Sequence, residues 1–196
     1  NLSNLQFSNL KPLQSLHSLK TLDLGIYSPS MLKRPQRPIN LTPLSQLTTL
    51  ENLDLSGQTL ISLKPLRTIK LKKVTLSDAE YGGLAALKYV KHSAKTLRIT
   101  LDRSDNLSKL PRFRRLENLS MILYDEGSLR RGTHRLNMQP RLKTLSLDGV
   151  MELPECGFWL ADKVKNPDYN ELCAPLKKLY KRKFKLVLPE YEGCGC

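Results

Sequence analysis

The residue types that carry covalent or metal chemistry are few in this 196-residue chain, and they do not converge on a reaction. All four cysteines, Cys156, Cys173, Cys194 and Cys196, fall in the last 41 residues. Three readings fit them: a disulfide-bonded C-terminal cap, a prenylated terminal Cys-x-Cys, or free thiols. Free thiols is the reading the spacing favours, with Cys173 in a core helix and Cys194 and Cys196 on a loose tail. The histidines, His17, His92 and His134, are solitary, and none lies near the cysteines, so no metal-ligand spacing arises. No Ser/His/Asp or Cys/His arrangement and no glycine-rich phosphate loop is present. Gly82-Gly83 reads as a packing accommodation inside a helix. The expectation is a binding protein and not an enzyme: no catalytic residue, no metal and no cofactor.

Charge is the next signal. The formal net charge is +14 and the pI about 9.8. The middle third, residues 61–120, holds 14 basic against 5 acidic residues, and so carries +9 of the total. A field of that size attracts nucleic acid, an anionic membrane or an acidic protein, although a solvated basic surface explains it as well. Arg112, Arg114 and Arg115, with Lys177, Lys178, Lys181, Arg182 and Lys183, form a band able to hold RNA or anionic lipid. Four N-x-S/T sequons, at Asn1, Asn40, Asn106 and Asn118, arise as readily by chance in an Asn-, Ser- and Leu-rich chain as by secretion.

What must position these groups is a leucine periodicity. Leucine makes up about a fifth of the chain. The phrase L-x2-L-x2-L-x-L occurs at Leu47-Leu50-Leu53-Leu55, at Leu16-Leu19-Leu22-Leu24, at Leu63-Leu66-Ile69-Leu71 and at Phe113-Leu116-Leu119-Met121. Shorter forms sit at Leu97-Ile99-Leu101 and Leu142-Leu145-Leu147. The closing L-x-L is a strand of period two, with both leucines on one face. One repeat cannot bury that face alone, and stacking neighbours does. The expected fold is α/β: a leucine-rich repeat solenoid with a parallel concave sheet and an irregular helical convex side. The residues between the leucines would then line the concave face. In this register the exposed column runs Gln6, Asp23, Asp54, Lys70, Arg98, Ser120 and Ser146, flanked among others by Glu51, Arg67 and Lys143. Asp23, Glu51, Asp54, Arg67, Lys70, Arg98, Ser120, Lys143 and Ser146 are therefore the candidate partner-binding residues. The column is acidic at its start and basic at Arg67, Lys70 and Arg98, which would steer a partner of complementary charge.

The whole of residues 1–196 reads as one such domain. Residues 28–43, with four prolines, read as an irregular insertion. Residues 69–101 read as strand, helix, strand, with Ser77 and Glu80 as a capping box and the helix running to about His92. Residues 154–192 read as a C-terminal capping region that includes Trp159 and ends on the strand Lys183–Leu188, and 193–196 as a Cys-containing tail. No run of eighteen apolar residues is present to span a membrane as a helix. The opening, Asn1-Leu2-Ser3-Asn4-Leu5, reads as the middle of a repeat and not as a signal peptide, so continuation upstream is expected.

The run LRTIKLKKVTLSDAEYGGLAALKYVKHSAKTLRITL and the ending ELCAPLKKLYKRKFKLVLPEYE resemble the ribonuclease-inhibitor-like repeat region of eukaryotic, fungal-type F-box/leucine-rich-repeat proteins. Shorter phrases, "LKPL" and "LTPLSQLTTLENLDLS", look like bacterial internalin-type repeats. The first resemblance implies substrate recognition for a ubiquitin ligase and an intracellular site, cytoplasmic or nuclear. Secretion is the alternative. No stretch here looks like the adaptor-binding F-box itself. The functional expectation is a protein–protein interaction module binding on the concave face. The alternatives are a basic scaffold for RNA or anionic lipid, or an architectural subunit of a larger assembly.

Overall fold

In the computed structural model, residues 1–5, 9–27, 37–101, 104–124, 132–148 and 184–187 are described, and the leucine phrase becomes a stack of strands. Seven strands lie in chain order across one sheet. They are β1 (Thr21–Asp23), β2 (Asn52–Asp54), β3 (Lys73–Leu76), β4 (Thr96–Leu101), β5 (Asn118–Leu123), β6 (Thr144–Asp148) and β7 (Lys185–Val187). Every neighbouring pair is parallel. Strictly sequential parallel order requires each connection to return to the same end of the sheet, which makes the arrangement solenoid-like. Among the described residues no helix is long and apolar enough to cross a membrane.

Period two decides what is buried. Leu22, Leu53, Val74, Leu97, Leu119, Leu145 and Leu186 align across the sheet. A second file, Leu76, Ile99, Met121 and Leu147, runs beside it, and Leu24 and Leu55 are buried with them. Full burial of each such side chain is worth about 1.5–3 kcal/mol. The returning segments add Leu44, Leu47 and Leu50 from one repeat, Leu63, Leu66 and Leu71 from the next, and Leu107, Leu110, Phe113 and Leu116 from another.

Those returns are built by a local phrase. Lys11–Ser15, Thr42–Gln46 and Lys64–Thr68 are 3-10 helices with proline in the first turn. Proline fits there because its fixed φ suits the helix and its missing N–H would be unpaired anyway. Two residues ahead of each paired amide stands a short polar side chain that accepts it. Asn9 Oδ1 accepts from Lys11 N–H (2.9 Å), Asn40 Oδ1 from Thr42 (2.9 Å), Ser62 Oγ from Lys64 (3.1 Å) and Asn106 Oδ1 from Ser108 (2.9 Å). The side chain satisfies one of the unpaired first-turn donors.

Three expectations are corrected. The third strand is not centred on Ile69: it is Lys73–Leu76, with Val74 aligned to Leu53 and Leu97. Ile69 and Leu71 are buried, but in the turn leading into the strand. Arg67 therefore belongs to the 3-10 helix, Lys70 to the lead-in turn, and neither to the sheet face. With Val74 counted, Leu53, Val74, Leu97 and Leu119 follow at spacings of 21, 23 and 22 residues, so these repeats are regular and short. The expected helix from Ser77 to His92 is a six-residue 3-10 helix, Leu84–Tyr89. Gly82 and Gly83, at φ of 85° and 75°, break the chain before it, in the left-handed region that glycine enters most readily. Within the expected insertion, residues 37–43 already join the stack: Ile39 bridges Leu60, and the helix starts at Thr42. Most of the C-terminal region, the cysteines, Trp159 and the basic run 177–183 lie outside the described residues.

Candidate functional site

The outer face of the sheet carries the residues between the core leucines. From the register, one column reads Asp23, Asp54, Thr75, Arg98, Ser120, Ser146 and Val187. Its neighbour reads Thr21, Asn52, Lys73, Thr96, Asn118, Thr144 and Lys185. Of the sequence-derived candidates, Asp23, Asp54, Arg98, Ser120 and Ser146 stand in the first column. Thr75 occupies the place assigned to Lys70.

At the N-terminal end the two carboxylates converge on a tyrosine. Asp23 Oδ1 accepts from Gly25 N–H (2.9 Å) and from the Tyr27 hydroxyl (3.2 Å). Asp54 Oδ1 accepts from the backbone N–H (2.9 Å) and hydroxyl (2.6 Å) of Ser56, a buried residue. Partial burial, followed by the charges of Asp54 and Asp23, raises the Tyr27 pKa far above its ordinary value. A Cβ at position 25 would lie 2.5 Å from the Tyr27 ring, so a larger residue there would displace that half-exposed ring from Asp23.

Toward the C-terminal end the organising residue is Asp148, which the sequence pattern did not single out. Its Oδ2 accepts from the Ser120 hydroxyl (3.1 Å) and faces Arg98 Nη2 at 3.4 Å. Its Oδ1 accepts from the Ser146 hydroxyl (3.0 Å). The sheet thus gathers three of the candidates on one carboxylate. The arrangement orders two hydroxyls and a guanidinium, and it brings no histidine to them.

At the strand starts a second ladder runs through Lys20, Glu51, Lys72, Lys95, Glu117 and Lys143. The carbonyls of Lys20, Glu51, Lys72, Lys95 and Glu117 each accept two N–H groups from the following repeat. Glu51 meets Lys72 at 2.6 Å and Glu117 meets Lys143 at 2.6 Å. The hydrogen bond from Lys72 holds the Glu51 carboxyl below its usual range, and the bond from Lys143 does the same to Glu117. Two further candidates, Glu51 and Lys143, are therefore already paired with neighbours, Lys72 and Glu117, that no core-leucine pattern would flag.

The strand ends are acidic. Asp78, Glu80, Asp105, Gly82 and Tyr124 line a cleft of about 480 Å³. Tyr124 donates to Asp78 Oδ1 at 2.6 Å, and this bond with partial burial pushes its pKa up to about 12. Asp78 itself sits at φ 55°. Among the described residues no group of three or more His, Cys, Asp or Glu side chains is placed to hold a metal ion.

Of the four sequons, Asn1, Asn40 and Asn106 each bind the N–H of the Ser or Thr two residues on, at 2.8–2.9 Å. At Asn40 and Asn106 the sequon is the helix-start phrase of the repeat. Asn118 lies in β5 on the outer face.

Charge is consequently sorted across the sheet, with four lysines and two lysine-paired glutamates at the strand starts and carboxylates at the strand ends. The sequence had suggested sorting along the chain. No family model matches the chain, and a search of curated proteins finds no match.

Proposed function

We propose that this chain is a leucine-rich repeat solenoid that holds a protein partner across the outer, concave face of its parallel sheet. The observation that carries the reading is the in-register polar column from Asp23 to Ser146, flanked at one margin by lysines, two of them paired with Glu51 and Glu117, and at the other by carboxylates. A sheet pinned by a buried leucine file presents such a column with little ordering left to do on binding, which favours recognition by pre-organisation. A partner with acidic groups over the strand starts and basic groups over the strand ends fits this field. The resemblance of the sequence at 66–101 and 171–192 to F-box/leucine-rich-repeat proteins extends the proposal to substrate recognition for a ubiquitin ligase. Binding, and not catalysis, is the proposed role.

The test is site-specific photo-crosslinking in cell extract. A photoreactive residue at Asn118, exposed on the sheet, should capture a discrete protein, and the same residue at Ala85, exposed on the 3-10 side, should not. Adding Asp54→Lys and Arg98→Glu should abolish the Asn118 adduct. Equal adducts at both positions, or an Asn118 adduct indifferent to the charge changes, would exclude the sheet face as the binding surface.

A further inference from the structure

The basic excess of the middle third is not spread over the fold. Residues 61–77, 81–101 and 106–116 contain no Asp or Glu. The eight described acids lie elsewhere: six toward the strand ends, and Glu51 and Glu117 inside their lysine pairs. We propose that the lead-in turns between Arg67 and Arg115 form a cationic ridge that grips the phosphate backbone of double-stranded nucleic acid.

Arg67 is the basic residue in the last turn of its 3-10 helix. Lys70 stands three residues ahead of β3, and Arg115 three residues ahead of β5. Lys91 and His92 occupy the turn between them, and Arg114 N–H donates to the Lys91 carbonyl at 3.2 Å, which ties successive turns together. Arg67, Lys70, His92, Arg114 and Arg115 are exposed, and none of these arginines or lysines has an ion pair among the described residues. The crowding registers on His92: partial desolvation, then the charges of Lys91, Arg114 and Arg67, lower its pKa. A surface whose cations repel one another is relieved by a polyanion.

Spacing and surface chemistry select the ligand. Strands sit about 4.8 Å apart, so three successive turns span about 10 Å. That matches roughly three phosphates along one strand of a duplex. The stacking that single strands require is absent: Phe113 is fully buried, and Tyr89 is half-buried with Lys88 Nζ 5.2 Å from its ring centre. None of the large exposed apolar side chains falls in the turns 67–72, 91–95 or 112–117, so an apolar wedge for a membrane is missing as well. Contact with phosphate alone predicts binding without sequence preference.

The experiment is fluorescence anisotropy of the full chain, across a salt series, against short duplex DNA, duplex RNA and an oligo-dT single strand. Sedimentation with phosphatidylcholine/phosphatidylserine vesicles runs alongside. The five cations Arg67, Lys70, Lys91, Arg114 and Arg115, shared between the roughly three phosphates of one strand and those of the other, predict a log–log salt slope of about −4 to −5 on duplex DNA. Lys70→Gln/Arg114→Gln/Arg115→Gln should reduce its magnitude by about 2.7, while Arg98→Gln on the sheet face leaves it unchanged. If the triple variant unfolds by circular dichroism, Lys70→Gln and Arg114→Gln alone should each lower the slope by about 0.9. Binding that the ridge variants do not weaken, tighter binding of the single strand than of the duplex, or binding to vesicles alone overturns the proposal.

Discussion

Gln139 stands where the leucine phrase calls for an apolar residue, three after Leu136 and three before Leu142. By repeat grammar, Gln139→Leu restores the consensus and should stabilise the protein. The structure predicts the opposite sign. Gln139 is buried; its Oε1 accepts from Phe113 N–H (2.9 Å), and its Nε2 donates to the carbonyls of Pro111 (3.2 Å) and Arg135 (3.0 Å). In the second repeat the equivalent amide, Leu47 N–H, is satisfied by the Leu44 carbonyl. Here the 3-10 helix stops at Lys109, and the chain turns extended before Pro111, which leaves Phe113 N–H to the glutamine. Leucine would strand that amide at about 1–3 kcal/mol, and would partly strand the Pro111 carbonyl. The Arg135 carbonyl keeps the Met138 N–H. The gain from leucine is about 1 kcal/mol, since the glutamine stem is already buried. Counting about 1 kcal/mol for the Pro111 carbonyl, the net loss is about 1–3 kcal/mol, or about 2–12 °C in Tm at this size. Urea unfolding and calorimetry of the two proteins measure it. A variant as stable as the parent, or more so, would refute the hydrogen-bond argument.

Three further outcomes are expected. Asn106→Ala removes the acceptor for Ser108 N–H and should cost about 0.5–2 kcal/mol, whereas Asn118→Ala, exposed on β5, should stay within about 0.5 kcal/mol by the same urea assay. Tyr124 should ionise near pH 12 by ultraviolet titration, and Asp78→Asn should bring it back toward 10; because the folded pKa is the higher one, the associated stability is complete below pH 10 and lost as pH rises toward 12. His92 has the lower pKa when folded, so its contribution is complete above about pH 6.5 and lost on acidification through the folded value; His92→Gln should flatten that part of the stability–pH curve, and an unchanged curve would place the acid sensitivity elsewhere.

The stack was legible from Leu47–Leu55 and its echoes because burial of the leucine file is a period-two constraint that the chain cannot disguise. Register in the third repeat was not. The phrase fits Leu63-Leu66-Ile69-Leu71 without a gap, yet the strand uses Leu71-x2-Val74-x-Leu76, where valine takes a leucine's place. In a strand a shift of one residue exchanges faces, and a larger slip moves the residues out of the strand altogether. Arg67 and Lys70 left the sheet for that reason. Gly82-Gly83 looked tolerable in a long helix, but the periodicity of Leu84, Leu87 and Val90 is shared by a 3-10 turn followed by an ordinary bend. Asp148 and Tyr27 were invisible because their roles depend on which strands become neighbours.

The register of the third repeat also redistributes charge. With Arg67, Lys70 and Arg98 in one column, a single basic patch would serve a single partner. With Arg98 committed to Asp148, Arg67 in the 3-10 helix and Lys70 in the lead-in turn, the sheet face is close to balanced: lysines, two of them paired with Glu51 and Glu117, stand at the strand starts and aspartates at the strand ends. The unbalanced charge of the middle third then belongs to the lead-in turns, where the described carboxylates, Glu51 and Glu117, are already paired with Lys72 and Lys143. The two surfaces respond to salt in different ways. A sheet that binds through paired, partly buried groups and shape should lose little affinity between low and moderate salt, whereas an exposed ridge held by counterion release should lose most of its affinity. Protein capture that survives salt, alongside duplex binding that does not, requires two sites; one common salt dependence for both ligands would return the charge to a single surface.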